Sequence, residues 1–207
     1  MPCFRRGGSY EEGLPQVIVA GVDSLLAAPT IQAYEERDLV LTSQNSDGFI
    51  PGEAASAVLV QAPRRGAPPR LICRGLGFGA EQATEDSEQP LRADGLTKAI
   101  RDALADAGCT LGDLDFRITD IAGSQYRFKE ATLALSRILR TRKEEFDLWH
   151  PADCVGEVGA TIGGVMIAVA DAACREEYSK GNHILFHLGN DDDKRAAMVF
   201  SFAERET

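Results

Sequence analysis

Val158–Cys174, VGATIGGVMIAVADAAC, decides the fold. Read at 3.6 residues per turn, the segment is a helix whose apolar side chains fall on nearly every side: Val158, Ala160, Ile162, Val165, Met166, Ile167, Ala168, Val169, Ala170 and Ala172. A surface helix keeps one polar face, whereas one that is apolar all round has to be covered all round. Gly159, Gly163 and Gly164 leave room for a neighbouring backbone to approach. Two layers cannot hide such a helix. The sequence therefore predicts that Gly156–Cys174 runs between two sheets, as the middle layer of an α-β-α-β-α sandwich.

The flanking segments supply the sheets. Upstream, Arg70–Phe78 reads as a strand and Ala93–Ala107 as a helix with Leu96, Ile100, Ala103, Leu104 and Ala107 at helical spacing. Phe116–Ile121 is a strand. Gln125–Arg140 is an amphipathic helix with basic residues near its end, where the helix dipole favours them. Phe146–Trp149 is a short strand. Downstream, His183–Gly189 and Ala196–Phe202 read as two strands joined by an Asn-Asp-Asp-Asp turn. The order β-α-β-α-β-α-β-β implies one mixed sheet with helices on its faces.

Before this unit lie two further apolar strands, Gln16–Val22 (QVIVAGV), which reads as buried, and Ala55–Gln61 (ASAVLVQ). A helix over Pro29–Arg37 and a structured loop over Leu39–Glu53 come between them. The expected organisation is a poorly structured segment over 1–15, the remnant of an N-terminal unit over 16–62, a Pro- and Arg-rich linker over 63–69, and a C-terminal unit over 70–204.

Bulk properties exclude several function classes. With 207 residues, 44% hydrophobic, the chain can bury a core. A net charge of −10 and scattered Lys and Arg argue against a nucleic-acid or anionic-membrane surface. No apolar run is long enough to span a bilayer and no secretory signal opens the chain, so a cytoplasmic protein is expected. The five cysteines (Cys3, Cys73, Cys109, Cys154, Cys174) are odd in number, far apart and without a CxxC pair, which fits a reducing compartment and small core residues. No cofactor or metal is expected.

Specific motifs carry a family resemblance. Val19–Leu26 (VAGVDSLL), Asn45–Ala55 (NSDGFIPGEAA) and the apolar strand after it are similar to the late N-terminal half of β-ketoacyl synthases, where a strand with Gly-x-Asp precedes a D-G-F-x-x-G-E-x-A loop. Gly156–Gly163 (GEVGATIG) resembles the G-H-x-x-G-A-A-G segment of the same family. The resemblance spans Gln16–Phe202 and implies a thiolase-like fold and an acyltransferase ancestry, that of the 3-oxoacyl-[acyl-carrier-protein] synthases. It marks Asp23, Asp47, Gly48, Phe49, Gly52, Glu53, Gly156 and Gly159 as family-motif residues with structural work. Gly48 and Gly52 permit turn conformations closed to other residues, and Glu53 is placed to fix the loop by accepting backbone hydrogen bonds.

The chemistry departs from the family. Condensation needs a cysteine at a helix N-terminus to carry the acyl group. The sole upstream candidate, Cys3, lies too close to Gln16 for a helix of ~15 residues and a loop to fit between them. Two histidines, or His and Asn, then polarise the thioester. Matching the helix start to the motif sets Gly156 at the first His, and the loop expected to carry the second is Gly189–Lys194 (GNDDDK), whose carboxylates oppose an enolate. His150 and Cys154 near the site mouth are the remaining base and nucleophile candidates. His183 and His187 read as satisfied, half-buried strand residues, and GEVGATIGG lacks the Lys-Ser/Thr ending of a phosphate cradle.

The expected function is that of a degenerate or partial β-ketoacyl synthase-like protein that binds a protein partner, an acyl chain or an acyl carrier protein. An incomplete N-terminal unit leaves an apolar face exposed, which implies a homo-oligomer or a hetero-partner. The competing expectation is an active synthase whose nucleophile half is supplied by another chain or truncated here. A scaffold role in a larger assembly has the same sequence signature as the first.

Overall fold

The computed structural model describes residues 16–63 and 68–203. The expected segment 1–15, Cys3 within it, and the centre of the linker, 64–67, lie outside the described residues.

Among the described residues seven strands and five helices follow in the expected order, with α4 added to it: β1 (Gln16–Ser24), α1 (Ala28–Glu35), β2 (Glu53–Gln61), β3 (Arg70–Ala80), α2 (Asp94–Ala107), β4 (Phe116–Thr119), α3 (Gln125–Ile138), β5 (Leu148–Trp149), α4 (Ala152–Val155), α5 (Ile162–Arg175), β6 (His183–Gly189) and β7 (Lys194–Ala203). Five strands make one sheet in the order β3-β7-β6-β4-β5. β4, β5 and β6 are parallel neighbours, while β7 runs antiparallel to both β6 and β3.

Strand alternation sends successive residues of this sheet to opposite faces. Phe116, Ile118, Ile184, Phe186, Phe200 and Phe202 form one core with Ile162, Met166 and Ala170 of α5. Leu185, Ala197 and Val199 form the other with α2 and α3. On that second face three glycines let α2 lie directly on β3. A Cβ on Gly75, Gly77 or Gly79 would fall 2.2, 2.0 and 2.0 Å from the carbonyl oxygens of Ala103, Ala99 and Gly95.

β1 and β2 pair with each other in antiparallel register from Gln16↔Gln61 to Ser24↔Glu53, a separate two-stranded sheet. It packs on the far side of α5. Ser56 presses on Gly164, where a Cβ would meet its Oγ at 2.1 Å, and Gly21 lies over Thr161. The middle-layer position expected for the apolar helix is therefore occupied, with a five-stranded sheet on one side and β1–β2 on the other.

Three expectations are corrected. Cover around α5 is incomplete: Ile162, Met166, Ala170, Ala173 and Cys174 are buried, but Ala168 and Ala172 are exposed. The helix also begins at Ile162 rather than Gly156, because Gly156 (φ 77°) and Gly159 (φ 55°) hold left-handed backbone that no helix continues through; a 3-10 turn, Gly159–Thr161, leads into it. Lastly, β1 is not a buried strand; with β2 it leaves one face open, as expected of an incomplete unit. Their outward residues pair as Ile18↔Leu59, Ala20↔Ala57 and Val22↔Ala55, and Ile18, Val22 and Leu59 are 71%, 79% and 53% exposed. Smaller shifts concern β5, which holds two residues instead of four, and β7, which starts two residues early, inside the acidic turn.

Candidate functional site

Ligand sites in open α/β sheets lie beyond the carboxyl ends of the parallel strands. Here three segments emerge at that end, Asp120–Ser124 after β4, His150–Val155 after β5 and Asn190–Asp193 after β6. Two more close over them, the loop 46–52 before β2 and the turn 156–161 before α5.

Glycine contacts bring these segments together. A Cβ on Gly123 would fall 2.2 Å from the Gly48 carbonyl oxygen, one on Gly52 2.2 Å from that of Val155, and one on Gly156 2.7 Å from that of Ile50. Glu157 then forms a parallel bridge with Pro51: its N–H donates to the Ile50 carbonyl at 2.7 Å, and its own carbonyl accepts from the Gly52 amide at 2.8 Å.

The motif carboxylates serve as anchors. Asp47 Oδ1 accepts from the Gln125 amide at 2.8 Å, capping α3 together with Ser124. Asp23 Oδ2 accepts from the Ala160 amide at 2.9 Å, tying β1 to the turn before α5. Phe49 stacks edge-on against Tyr34 of α1, with ring centroids 5.1 Å apart. Glu53 departs from expectation. Its carboxylate accepts from the Ser24 hydroxyl at 2.9 Å, so it closes the end of the β1–β2 ladder through a side chain.

His150 and Cys154 both sit at α4 beside this end of the sheet. His150 Nδ1 lies 2.9 Å from Asp153 Oδ1, though out of line for a hydrogen bond, and its ring meets Phe128 edge-on at 5.4 Å. The Cys154 thiol is exposed. Burial pushes the thiols of Cys109 and Cys174 up, away from the thiolate form.

The polar centre of the site lies elsewhere, on residues to which the sequence reading assigns no role in the site. Thr119 and His187, on neighbouring strands, are both buried, with Thr119 Oγ1 3.2 Å from His187 Nδ1. Next to them Asp120 Oδ2 accepts from the Gly189 amide at 2.8 Å. Burial lifts the Asp120 carboxyl above its ordinary range, opposed by the Arg127 charge. Burial likewise drives His187 down to about 3, with Arg117 and Arg127 adding to the effect, so its ring is neutral. Glu157 is raised to about 7, first by burial and then by Asp120 and Asp191, against the Gly159 amide that donates to its Oε1 at 2.8 Å and the Arg127 charge.

Behind this centre Arg195 and Glu130 make a fully buried pair, each side chain 2% exposed, with Arg195 Nε 2.8 and 3.0 Å from the two carboxylate oxygens. Burial works to lower the guanidinium; the hydrogen bonds and charge of Glu130, with Tyr126, outweigh it and hold Arg195 above its usual range. A cavity of about 10 Å³, the room of one water molecule, lies among these groups at the ends of β4 and β6.

His183 and His187 differ more than expected. His183 is exposed and faces Asp115 at 3.4 Å, while His187 is 3% exposed.

No known family model matches the sequence, and no curated protein does. Solved structures do. The chain superposes on the ketosynthase ApeO in complex with its chain length factor ApeC from Xenorhabdus doucetiae with a TM-score of 0.78 at 14% identity, covering 94% of this chain and 55% of that one. The chain has the thiolase-like fold of the ketosynthases. A β-ketoacyl synthase from Burkholderia phymatum gives a TM-score of 0.79 at 12% identity, over 95% of this chain and 57% of that one. A ketosynthase in complex with its type II acyl-carrier protein gives 0.80 at 12% identity, over 94% and 58%. The chain thus spans about half the length of the structures it matches. Among its described residues no helix is long and apolar enough to cross a membrane.

Proposed function

We propose that this chain is a non-condensing ketosynthase-like protein that works by binding a protein partner across its β1–β2 sheet. The observation that carries the reading is that sheet itself. Two strands alone are marginal in water, and a third strand or a packed face is what makes a hairpin stable. Here α5 covers one face, while Ile18, Ala20, Val22, Ala55, Ala57 and Leu59 present an apolar ladder on the other. Among the described residues β1 and β2 pair only with each other, so both outer edges carry free backbone groups. Such a face marks an interaction surface. The ketosynthases it resembles, solved with a chain length factor or an acyl-carrier protein, support a protein partner.

The polar centre supports a role without condensation. Matched without a gap, GEVGATIG against G-H-x-x-G-A-A-G sets Glu157, rather than Gly156, at the histidine position. The charges of Asp120 and Asp191 act on Glu157 there, and a cluster of carboxyls would oppose the charge of an enolate. Neither His150 nor Cys154 lines the small cavity at this centre.

Sedimentation of the chain purified under native conditions from its own cells tests the reading. An assembly heavier than one chain is expected, and Ile18→Asp with Val22→Asp releases the monomer. A wild-type chain that sediments as a monomer at micromolar concentration overturns it. Uptake of an acyl label by the native assembly on this chain would instead favour an active synthase completed by another polypeptide.

A further inference from the structure

We propose that Glu157 is a proton-operated latch between the β1–β2 unit and the C-terminal unit: with its carboxyl protonated the loop 50–52 stays bridged to the turn 156–161, and ionisation beside Asp120 and Asp191 loosens that bridge.

The argument begins with position. The backbone of Glu157 makes both hydrogen bonds of the Pro51–Glu157 bridge, and its side chain shapes the turn that follows by accepting from the Gly159 amide. That turn holds further polar ties between the units. The Ala160 amide donates to Asp23, and Thr161 Oγ1 lies 3.1 Å from the Gly21 carbonyl oxygen and 2.7 Å from Ser56 Oγ. One residue therefore stands between the loop on one side and the β1 and β2 contacts on the other, and a displacement of its carboxyl is felt by both.

The groups facing it come from four elements. Asp120 at the end of β4 and Asp191 in the β6–β7 turn are like charges; Arg127 on α3 is the opposing cation; Tyr34 on α1 feels the Glu157 charge together with those of Asp191 and Asp23. Asp23 and Asp47 are engaged with the amides of Ala160 and Gln125. Burial, with two carboxylates behind it, outweighs one amide and one arginine and pushes the carboxyl up to about 7. The carbonyl oxygen of a neutral Glu157 still accepts from the Gly159 amide, without adding a third negative charge to the junction.

Amide hydrogen exchange of the full chain between pH 5.5 and 8.5, normalised to intrinsic exchange at each pH, tests the latch. Protection of the Gly52 and Glu157 amides is expected to fall by at least about tenfold across that range. In Glu157→Gln it stays flat. In Asp120→Asn, where one like charge is gone, the fall remains and its midpoint moves to lower pH. A wild-type profile without the fall, a fall that survives in Glu157→Gln, or a midpoint that Asp120→Asn leaves in place overturns the proposal.

Discussion

Replacing Glu130 by Ala strips the counter-charge from Arg195 while leaving the guanidinium where it is. Both side chains are 2% exposed, and Glu130 takes the Arg195 Nε at 2.8 and 3.0 Å. The rest of the guanidinium is spent on the turn that ends the site: Nη1 donates to the carbonyls of Asn190, Asp192 and Lys194 at 3.3, 3.4 and 3.0 Å, and Nη2 reaches Tyr126. Arg195 is thus held in place by its other bonds and, at 3% exposure, is almost cut off from bulk water. Breaking a buried pair from one side costs about 3–5 kcal/mol, because an uncompensated charge is left inside. For a protein of this size about 2–4 °C of Tm accompanies each kcal/mol, so Glu130→Ala is expected to melt roughly 6–20 °C lower. Glu130→Met with Arg195→Met removes both charges and conserves volume, and it is expected to lose less than Glu130→Ala alone. Thermal and urea unfolding of the three proteins measure this. A loss below about 1 kcal/mol in Glu130→Ala, or a double variant weaker than the single one, would refute the reasoning, since it would mean that water reaches the pair.

Two further predictions follow from single residues. His187 should keep a neutral ring from pH 8 down to about 4, read as a flat imidazole chemical shift; because its folded value of about 3 lies below the ordinary one, its contribution is present above pH ~6.5 and lost as the pH falls towards 3, and a midpoint near 6.5 would show the ring to be solvated. Gly77→Ala should cost about 1–3 kcal/mol in urea unfolding, since its Cβ meets the Ala99 oxygen at 2.0 Å and the Ala103 nitrogen at 2.6 Å, whereas Gly163→Ala, whose nearest neighbour is Leu188 Cδ2 at 3.7 Å, should be neutral or stabilising by up to about 1 kcal/mol; equal effects at the two sites would contradict the packing described.

The C-terminal unit is legible in the sequence because its elements differ in period. Leu96, Ile100, Ala103 and Leu104 repeat at helical spacing and all four are buried in α2. Alternation in Phe116–Thr119 separates Phe116 and Ile118, on the α5 side, from Thr119 on the other. Element starts were harder. GEVGATIG looks helical from Gly156 until the left-handed backbone of Gly156 and Gly159 is seen, and nothing in composition distinguishes a glycine that packs from one that turns. Whether an apolar strand is covered is equally illegible: Ile18 and Val17 are alike in chemistry, but Ile18 faces outwards and Val17 is half-buried. The site is the least legible part, because it is assembled across long separations. Asp23 meets Ala160, Asp47 meets Gln125, and Thr119 meets His187. One local signal was available, the polar pair Thr119–Asp120 closing an otherwise apolar strand just before Gly123.

The bare hairpin also bears on how the molecule behaves at high concentration. A nine-residue strand such as β1, with Asp23 as its sole charge and apolar side chains outward, has few of the lysines, prolines or bulges by which sheet margins normally repel their own kind. Left to itself in a crowded tube, it would zip onto identical strands, and turbidity should rise with protein concentration far sooner than a net charge of −10 would suggest. Solubility on production therefore depends on stoichiometry, and the amount of clear, recoverable chain should track the supply of whatever lies along that ladder.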